Sequence, residues 1–286
     1  MPSEWRSHAD AAPNGYLYHY TSQDGIVGIV TSGTVWATCI HYLNDSMEWK
    51  YALELATDSI RRRQLKAQGD THKRFYDLLV ARLRSIEKIF IYVISFSEAG
   101  DLLSQWRAYS GGGPGFSLGF SYNDLTYVAQ RQHFHIGRCI YNESLQEKLI
   151  EELLDEALGA LTPIVTGDAK EREHALKQRC QLFYMAFLRL APLFKASGFS
   201  EEREWRMISA PLSANDLRTF VRPGKNFLTP TLAVPFQNAR SRLILKDVIV
   251  GPSEHRLLSF DALWLLLGSK SIRGVTFTYS TVPYRG

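Results

Sequence analysis

The sequence predicts an α+β fold, in which one β-sheet carries helical insertions. Short β-branched and aromatic segments occur both before and after a helical block at residues 145–195, which favours one sheet over two separable domains. No internal repeat or low-complexity linker divides the chain. With 286 residues and 45% hydrophobic content, the chain can bury a full core. We therefore predict a single domain over residues 1–286, with helical segments at about 45–88 and 145–195.

The first predicted elements are two strands with a helix between them. Residues 16–21 are rich in aromatics, and residues 34–40 alternate and are β-branched, so both segments predict strands. Ser22 is a typical helix N-cap and Gly33 a typical helix stop. Apolar residues at helical spacing lie between Ser22 and Gly33, which completes a strand–helix–strand unit.

The middle of the chain is predicted to be mainly helical around one buried strand. Residues 46–88 predict helix with a break at Gly69-Asp70, and the apolar run at 89–96 predicts a central strand. Apolar residues from Leu145 onward share one helical face, and residues 170–194 predict a second long helical segment. Further strands are predicted at 116–120, 136–141, 202–209, 218–221, 229–235, 245–250 and 274–279.

Composition narrows the class of protein. The three cysteines, Cys39, Cys139 and Cys180, are odd in number and widely spaced, which argues against a disulfide framework and against a zinc cluster. The N-terminus carries no apolar run of the kind found in signal peptides. The longest apolar stretches fall far short of the roughly 20 residues that span a bilayer. We expect a cytoplasmic protein with no membrane partner and no bound metal.

Charge is concentrated in residues 60–90, which hold nine Lys/Arg against three Asp/Glu, whereas the whole chain has a net charge of +4. Two interpretations stay open for this basic helical region. It is either a solvated helix face or a surface that binds RNA or DNA through phosphate contacts.

Four segments are dense in polar functional groups at the ends of predicted strands or helices. They are His19-Tyr20-Thr21, the run from Tyr42 to Trp49, the run from Ser104 to Tyr109, and Glu201-Glu202-Arg203-Glu204-Trp205-Arg206. The third is followed by glycine-rich residues 111–115, which match neither a P-loop nor a Rossmann fingerprint. Trp106 and Tyr109 could stack on a flat ring there, and Arg107 could bind a phosphate.

The fourth segment carries the strongest carboxylate signal. In a strand over 202–209, Glu202, Glu204 and Arg206 would share one face, and Trp205 would point into the core on the other with Arg203. One interpretation is an edge strand with a solvated salt-bridge ladder. The other is a carboxylate pair at the wall of a cleft, where one group binds a hydroxyl or a developing cation and its neighbour orients it.

These segments, in this order, resemble a bacterial family known as domain of unknown function 2971. The residues that carry the resemblance run from Tyr18-His19-Tyr20-Thr21-Ser22 and Gly33-Thr34-Val35-Trp36 through Tyr42-Leu43-Asn44-Asp45 and Ser104-Gln105-Trp106-Arg107-Ala108-Tyr109 to Glu202-Arg203-Glu204-Trp205-Arg206. The resemblance covers roughly residues 16–280.

At the level of fold, the strand-end histidine, the helix after it, the Gly-x-x-aromatic strand and the late glutamate-bearing strand resemble ADP-ribosyltransferases. This resemblance implies a split antiparallel or mixed β-sheet that clamps NAD, the substrate. It implies catalytic roles for His19, Glu202 and Glu204. The predicted NAD-binding residues are Tyr20, Thr21, Trp36, Tyr42, Asn44, Trp106, Arg107 and Tyr109. Of these, the resemblance itself implies Trp36 or Tyr42 as the ring that stacks near the nicotinamide. Trp36 stands where a tyrosine is usual, and the segment from Ser104 to Tyr109 has no assigned role in that family.

The expected function is an NAD-dependent ADP-ribosyltransferase or NAD glycohydrolase. The acceptor of the ADP-ribose is nucleic acid, protein or water. The protein is expected to act as a toxin, with an antitoxin protein as partner, or as a phage-defence effector. One alternative is a non-catalytic module that binds a nucleotide or nucleic acid. Another is a Mg²⁺-dependent hydrolase or nuclease that uses Asp45, Glu48, Glu202 and Glu204. The enzymatic interpretation requires His19, the 106–109 segment and Glu204 to converge in one cleft.

Overall fold

A computed structural model describes residues 12–13, 15–43, 46–111, 114–159, 168–213, 215–224 and 227–283. They form a mixed α/β structure with a mostly antiparallel open sheet. The strands are β1 (Tyr16–Thr21), β2 (Thr34–Cys39), β3 (Tyr92–Ser97), β4 (Phe116–Ser121), β5 (Phe134–Arg138), β6 (Glu204–Ser209), β7 (Thr219–Pro223), β8 (Leu228–Pro235), β9 (Leu245–Val250) and β10 (Thr276–Tyr279). The α-helices are α1 (Gln23–Ser32), α2 (Ser46–Lys66), α3 (Asp70–Arg84), α4 (Leu103–Tyr109), α5 (Tyr122–Arg131), α6 (Glu143–Gly159), α7 (Ala169–Leu190) and α8 (Arg256–Ser269).

The sheet follows the strand order β10-β9-β4-β1-β3-β2-β8-β7, and β6 pairs with both β3 and β5. The β9–β10 pair is parallel, and the other pairs are antiparallel. β6 follows one edge of β3 over five residues, from Val93 to Ser97. β3 is therefore the central strand that the apolar run at 89–96 predicts, although it begins three residues later, at Tyr92.

β1 and β2 separate from each other along β3. β1 meets β3 at its C-terminal end, where Tyr18 pairs with Ser97. β2 meets β3 at the N-terminal end, where Thr38 pairs with Val93 and Cys39 pairs with Tyr92. The sheet is consequently open between β1 and β2 at the middle of β3, and α1 connects the two strands.

Two hydrophobic cores lie on the two faces of the sheet. Strand alternation sends Trp205 and Met207 of β6 into one core, and Ile208 into the other. The first core is closed by α1, α5 and α8, and the second by α2, α3, α6 and α7. Trp205 is 1% exposed, which confirms that it packs in the core, away from Glu204.

The strand–helix–strand unit at the N-terminal side is confirmed in detail. The Ser22 hydroxyl accepts a hydrogen bond from the Gly25 amide and caps α1, and Gly33 ends the helix in the left-handed region with φ of 69°. The break at Gly69 between α2 and α3 is also confirmed. Helices α4, α5 and α8 were not predicted. α4 is short and α8 is apolar on much of its circumference, so neither carries a clear amphipathic period. α5 does carry one, because Leu125, Val128 and Ala129 are buried on one face, and this signal was missed.

Several predicted strands have different bounds, and the bounds of β5 and β6 are two examples. The strand expected at 136–141 lies at Phe134–Arg138. The strand expected at 202–209 begins at Glu204, because Ser197–Glu202 form a 3₁₀ turn and Arg203 adopts a left-handed conformation with φ of 43°. Glu202 therefore does not share a strand face with Glu204, and Arg203 is exposed outside the strand.

Part of the basic region at 60–90 pairs with the neighbouring helices. Arg63 of α2 donates to the carboxylate of Glu151 in α6. In α3, Arg74 lies 3.1 Å from a Glu173 carboxylate oxygen, and Arg82 lies over the Tyr184 ring of α7. These arginines join helices to one another, whereas Lys66, Lys73 and Arg84 are exposed. Among the helices that the structure describes, none is both long and apolar enough to cross a membrane.

Replacing Gly33 with alanine is expected to lower the free energy of unfolding by about 1–2 kcal/mol, because a side chain in the left-handed region costs that much. A Cβ at Gly33 would also meet the side-chain amide of Gln237. Gly28→Ala is the matched control, because a Cβ at this helical glycine meets nothing within 4 Å and alanine favours helix. Urea denaturation should show a lower free energy of unfolding for Gly33→Ala and no decrease for Gly28→Ala. An equal decrease in both variants would contradict the role of Gly33 as a helix C-cap.

Candidate functional site

A cavity of ≈ 490 Å³ lies in the opening between β1 and β2. This volume is in the range of pockets that bind small ligands. β1, β2, β3 and β6 each contribute side chains to its lining, and so do α1 and the C-terminal end of α4. The lining includes His19, Thr21, Asp24, Trp36, Thr38, Tyr42, Ser95, Tyr109, Glu204, Arg206 and Arg222.

His19 is oriented by the gap in the sheet. Its Nδ1 donates to the Ser95 carbonyl at 3.0 Å, at the part of β3 that lies between the β1 and β2 pairings. A donating Nδ1 leaves Nε2 as the acceptor of the neutral ring. Burial lowers the pKa of His19 below its ordinary value, outweighing the opposite effect of the Ser95 carbonyl, so the ring is neutral at pH 7.

A cluster of five charged side chains, four of them buried, stands at one end of the cavity, which two of its members, Glu204 and Arg206, line. Glu204 stands at its centre, with Arg206 and Lys195 as its cations. Arg206 binds the Glu204 carboxylate with two nitrogens, at 2.8 Å from Oε1 and 3.1 Å from Oε2. The Lys195 ammonium lies 2.7 Å from Glu204 Oε2. Because charge-assisted bidentate bonds are directional, the carboxylate is held in one orientation.

Two further carboxylates complete this charge cluster. Glu48, from the first turn of α2, lies 2.7 Å from Arg206 Nη2 and 3.6 Å from the Lys195 ammonium. Glu202, from the 3₁₀ turn before β6, lies 2.9 Å from the same ammonium. Three carboxylates and two cations leave the cluster a formal charge of −1. All five groups are drawn from four different segments of the chain.

Two opposing effects set the pKa of Glu204. Burial alone would raise it, because a charged carboxylate loses its water, but Arg206 and Lys195 outweigh that effect and lower the pKa to about 2. Glu204 is therefore an anion throughout the physiological pH range, even though only 6% of the residue is exposed.

The structure brings most of the predicted site residues to the same cavity. They are His19, Tyr20, Thr21, Trp36, Tyr42, Tyr109 and Glu204. Trp36 is 51% exposed there and meets the Phe220 ring edge-on at 5.2 Å. The convergence that the enzymatic interpretation requires therefore holds for His19, Tyr109 and Glu204.

Three predicted residues lie elsewhere. Trp106 is buried behind β1, edge-on to Tyr20 at 4.8 Å, and its Nε1 donates to Asp101 at 2.8 Å, so its ring is not open to a ligand. Arg107 is exposed and is not among the cavity residues. Glu202 reaches the cluster only through Lys195 and does not line the cavity. Asn44 lies outside the described residues.

The sequence analysis predicted no role for two cations of the site, Lys195 and Arg222, and the reason differs between them. Lys195 follows the apolar run Ala191-Pro192-Leu193-Phe194, so nothing in the local pattern marks it as the partner of distant carboxylates. Arg222 lies on β7, which reaches the cavity only through the pairing of β8 with β2. The one local signal for a functional role of Arg222 is that this basic residue lies in a strand between an apolar residue and a proline.

The cluster gives no support to the magnesium alternative. Within the described residues, no group of three or more His, Cys, Asp and Glu side chains is arranged to hold a metal ion. The Lys195 ammonium lies within 3.6 Å of all three carboxylates, at the point where a divalent cation would have to bind. Asp45, the fourth carboxylate of that alternative, lies outside the described residues.

Comparison with known proteins gives one match. The model of the family described as "Protein of unknown function (DUF2971)" matches residues 105–207, about a third of the chain. No curated protein and no solved structure matches the sequence. The matched stretch runs from α4 to β6 and includes Tyr109, Lys195, Glu204 and Arg206, so the family resemblance is supported for the segment that supplies the charge cluster's core.

Proposed function

We propose that the cavity between β1 and β2 binds NAD as a substrate, and that Glu204 promotes cleavage of the bond between nicotinamide and ribose. The ADP-ribose is then transferred to an acceptor. One observation carries the proposal: His19 of β1 and Glu204 of β6, which are far apart in the sequence, line the same cavity. The separation of β1 and β2 along β3 supports it as well, because the resemblance to ADP-ribosyltransferases implies a split sheet of this kind.

The chemistry follows from the charge that develops on the ribose. When the glycosidic bond breaks, its electron pair leaves with the nicotinamide nitrogen, and the ribose becomes oxocarbenium-like. A fixed anion beside the ribose stabilises this cation where it forms. Glu204 suits this role because its pKa of about 2 keeps it charged and its two cations keep it oriented.

The hydrogen bonds of Glu204 leave room for a ribose hydroxyl. Oε2 accepts from Arg206 and Lys195, whereas Oε1 accepts only from Arg206 Nε among the described residues. A carboxylate oxygen has two lone-pair sites, so Oε1 can accept one more donor. Nε2 of neutral His19 can accept a second hydroxyl, and the ring of Trp36 can stack on a base or on the nicotinamide.

Purified protein incubated with NAD labelled in the adenylate half tests the proposal. We expect release of free nicotinamide, with the label found in free ADP-ribose when water is the acceptor, or on protein, RNA or DNA supplied in parallel. No nicotinamide release with any of these acceptors would overturn the proposal. Saturable NAD binding without release would instead identify the site as a non-catalytic nucleotide-binding module.

NAD binding is expected to weaken on acidification through protonation of His19. Because the pKa of His19 is lowered below the ordinary histidine value, Nε2 is a hydrogen-bond acceptor at neutral pH, and protonation at lower pH removes that acceptor. The NAD dissociation constant should therefore be flat from pH 8 to 6.5 and rise at lower pH. His19→Gln is the control, since its titration is lost; a rise that begins above pH 7, or that persists in His19→Gln, would contradict this assignment.

A further inference from the structure

The two arginines that line the cavity differ in how their donors are used. Every nitrogen of Arg206 donates to Glu204, Glu48 or the Pro192 carbonyl, to which Nη1 donates at 2.8 Å. Arg222 contacts Thr38 Oγ1 at 3.4 Å and the Pro223 carbonyl at 3.5 Å, both at the long limit of a hydrogen bond. Arg206 is thus committed to the protein, while Arg222 is only weakly bound.

The Nε of Arg222 is buried, and no described group accepts a hydrogen bond from it. None of the ion pairs found among the described residues involves Arg222. A buried donor on a charged group without an acceptor is unfavourable, and native proteins rarely retain one unless a ligand or water fills the place. The guanidinium fork is shaped to bind two oxygens of one anion.

Strand register directs this side chain into the cavity. Thr38 of β2 and Phe220 of β7 both lie opposite Thr231 of β8, so their side chains share one face of the sheet. Arg222 is two residues beyond Phe220 and therefore lies on the same face. The Phe220 ring contacts Trp36, which places Arg222 beside the aromatic wall of the cavity.

We infer that Arg222 binds a phosphate group of the ligand. The inference rests on the proposed function and extends it: the cavity takes a phosphorylated nucleotide, with its phosphate on Arg222 and its ribose between His19 and Glu204. The sequence indicated Arg107 for this role, but Arg107 is exposed to solvent and lies outside the cavity lining. Arg222 takes its place because β8, which pairs with both β2 and β7, brings the Arg222 side chain to the cavity.

The test compares wild type, Arg222→Gln and Arg242→Gln by calorimetric titration with inorganic pyrophosphate, acetate, adenosine and NAD. Arg242 is an exposed arginine outside the cavity, so Arg242→Gln removes the same charge and serves as the matched control. Arg222→Gln should weaken pyrophosphate and NAD binding by roughly 10- to 100-fold, as expected for bonds to a charged group, and leave adenosine binding unchanged. Arg222→Lys, which keeps the charge without the fork, should give an intermediate loss.

The outcomes separate this inference from the proposed function. Equal pyrophosphate affinity in wild type and Arg222→Gln overturns the inference, even if the protein releases nicotinamide from NAD. Acetate binding as tight as pyrophosphate binding overturns the assignment of a phosphate. A selective loss of pyrophosphate and NAD affinity in Arg222→Gln supports it, even if no nicotinamide is released. An equal loss for adenosine also overturns it, because the substitution would then have disturbed the whole cavity.

Discussion

Glu204→Gln is expected to reduce nicotinamide release by about 100- to 1,000-fold, the scale found when one electrostatic group aimed at a developing charge is removed. The amide keeps the shape of the carboxylate but not the charge that stabilises the ribose cation. The protein should remain folded, because Glu48 and Glu202 then balance Lys195 and Arg206 one to one. The measurement is the rate of nicotinamide release at saturating NAD, with a thermal melt of the same preparation.

Glu202→Gln is the matched control for this experiment. It removes the same charge from the same Lys195 ammonium, at 2.9 Å instead of 2.7 Å, but from outside the cavity. Its rate should stay close to that of the wild type. This comparison decides which of the two carboxylates is catalytic, a question that the sequence leaves open. A full rate in Glu204→Gln, or an equal loss in Glu202→Gln, would remove Glu204 from the proposed mechanism.

Lys195→Met is expected to lower the free energy of unfolding by about 3–5 kcal/mol, because removing one partner leaves buried carboxylates without compensation. Lys195 is 1% exposed, and its loss leaves three carboxylates against the single charge of Arg206. Methionine has a similar length, so little packing is lost. The backbone bonds of residue 195 to Ile140 and Gln146 do not involve the ammonium.

Urea denaturation at pH 7 measures this loss, with Lys246→Met as the control. Lys246 pairs with Asp124 at 3.4 Å on the surface, where such pairs contribute about 1 kcal/mol or less. The loss in Lys195→Met should shrink as the pH falls toward 4, because the unbalanced carboxylates then take up protons more readily in the folded state than in the unfolded one. An equal decrease in the free energy of unfolding at pH 7 and at pH 4 would indicate that lost packing, not unbalanced charge, is the cause.

Much of the fold could be predicted because its signals are local. Ser22 and Gly33 mark the ends of α1 by a cap and a left-handed stop, and both act within one turn of helix. That Trp205 and Glu204 lie on opposite faces of β6 follows from the two-residue period of a strand alone. Arg203 shows the limit of such rules: its left-handed turn starts β6 two residues late and takes Glu202 out of the strand, and no local pattern announces it.

The candidate site was predictable in part for the same reason. His19 and Glu204 lie at strand positions with an unusual density of polar groups, and Trp36 was indicated by the resemblance. The structure places all three around one cavity. Trp106 and Arg107 belong to a segment with the same density, yet their places depend on how α4 rotates against β1. That rotation is decided by packing of Trp106 on Tyr20, a contact between distant parts of the chain.

The sequence by itself determined the α+β class, the helix ends near Ser22, Gly33 and Gly69, and the polar segments that carry the family resemblance, because each depends on residues within a few positions of one another. Only the tertiary structure decided which charges meet. Lys195 and Glu48 reach Glu204, and Arg222 reaches the cavity, through helix packing and strand pairing over long sequence separations. The charge state of Glu204 and the unfilled donors of Arg222 are therefore properties of the fold, since burial and neighbouring charge arise only when the chain is assembled.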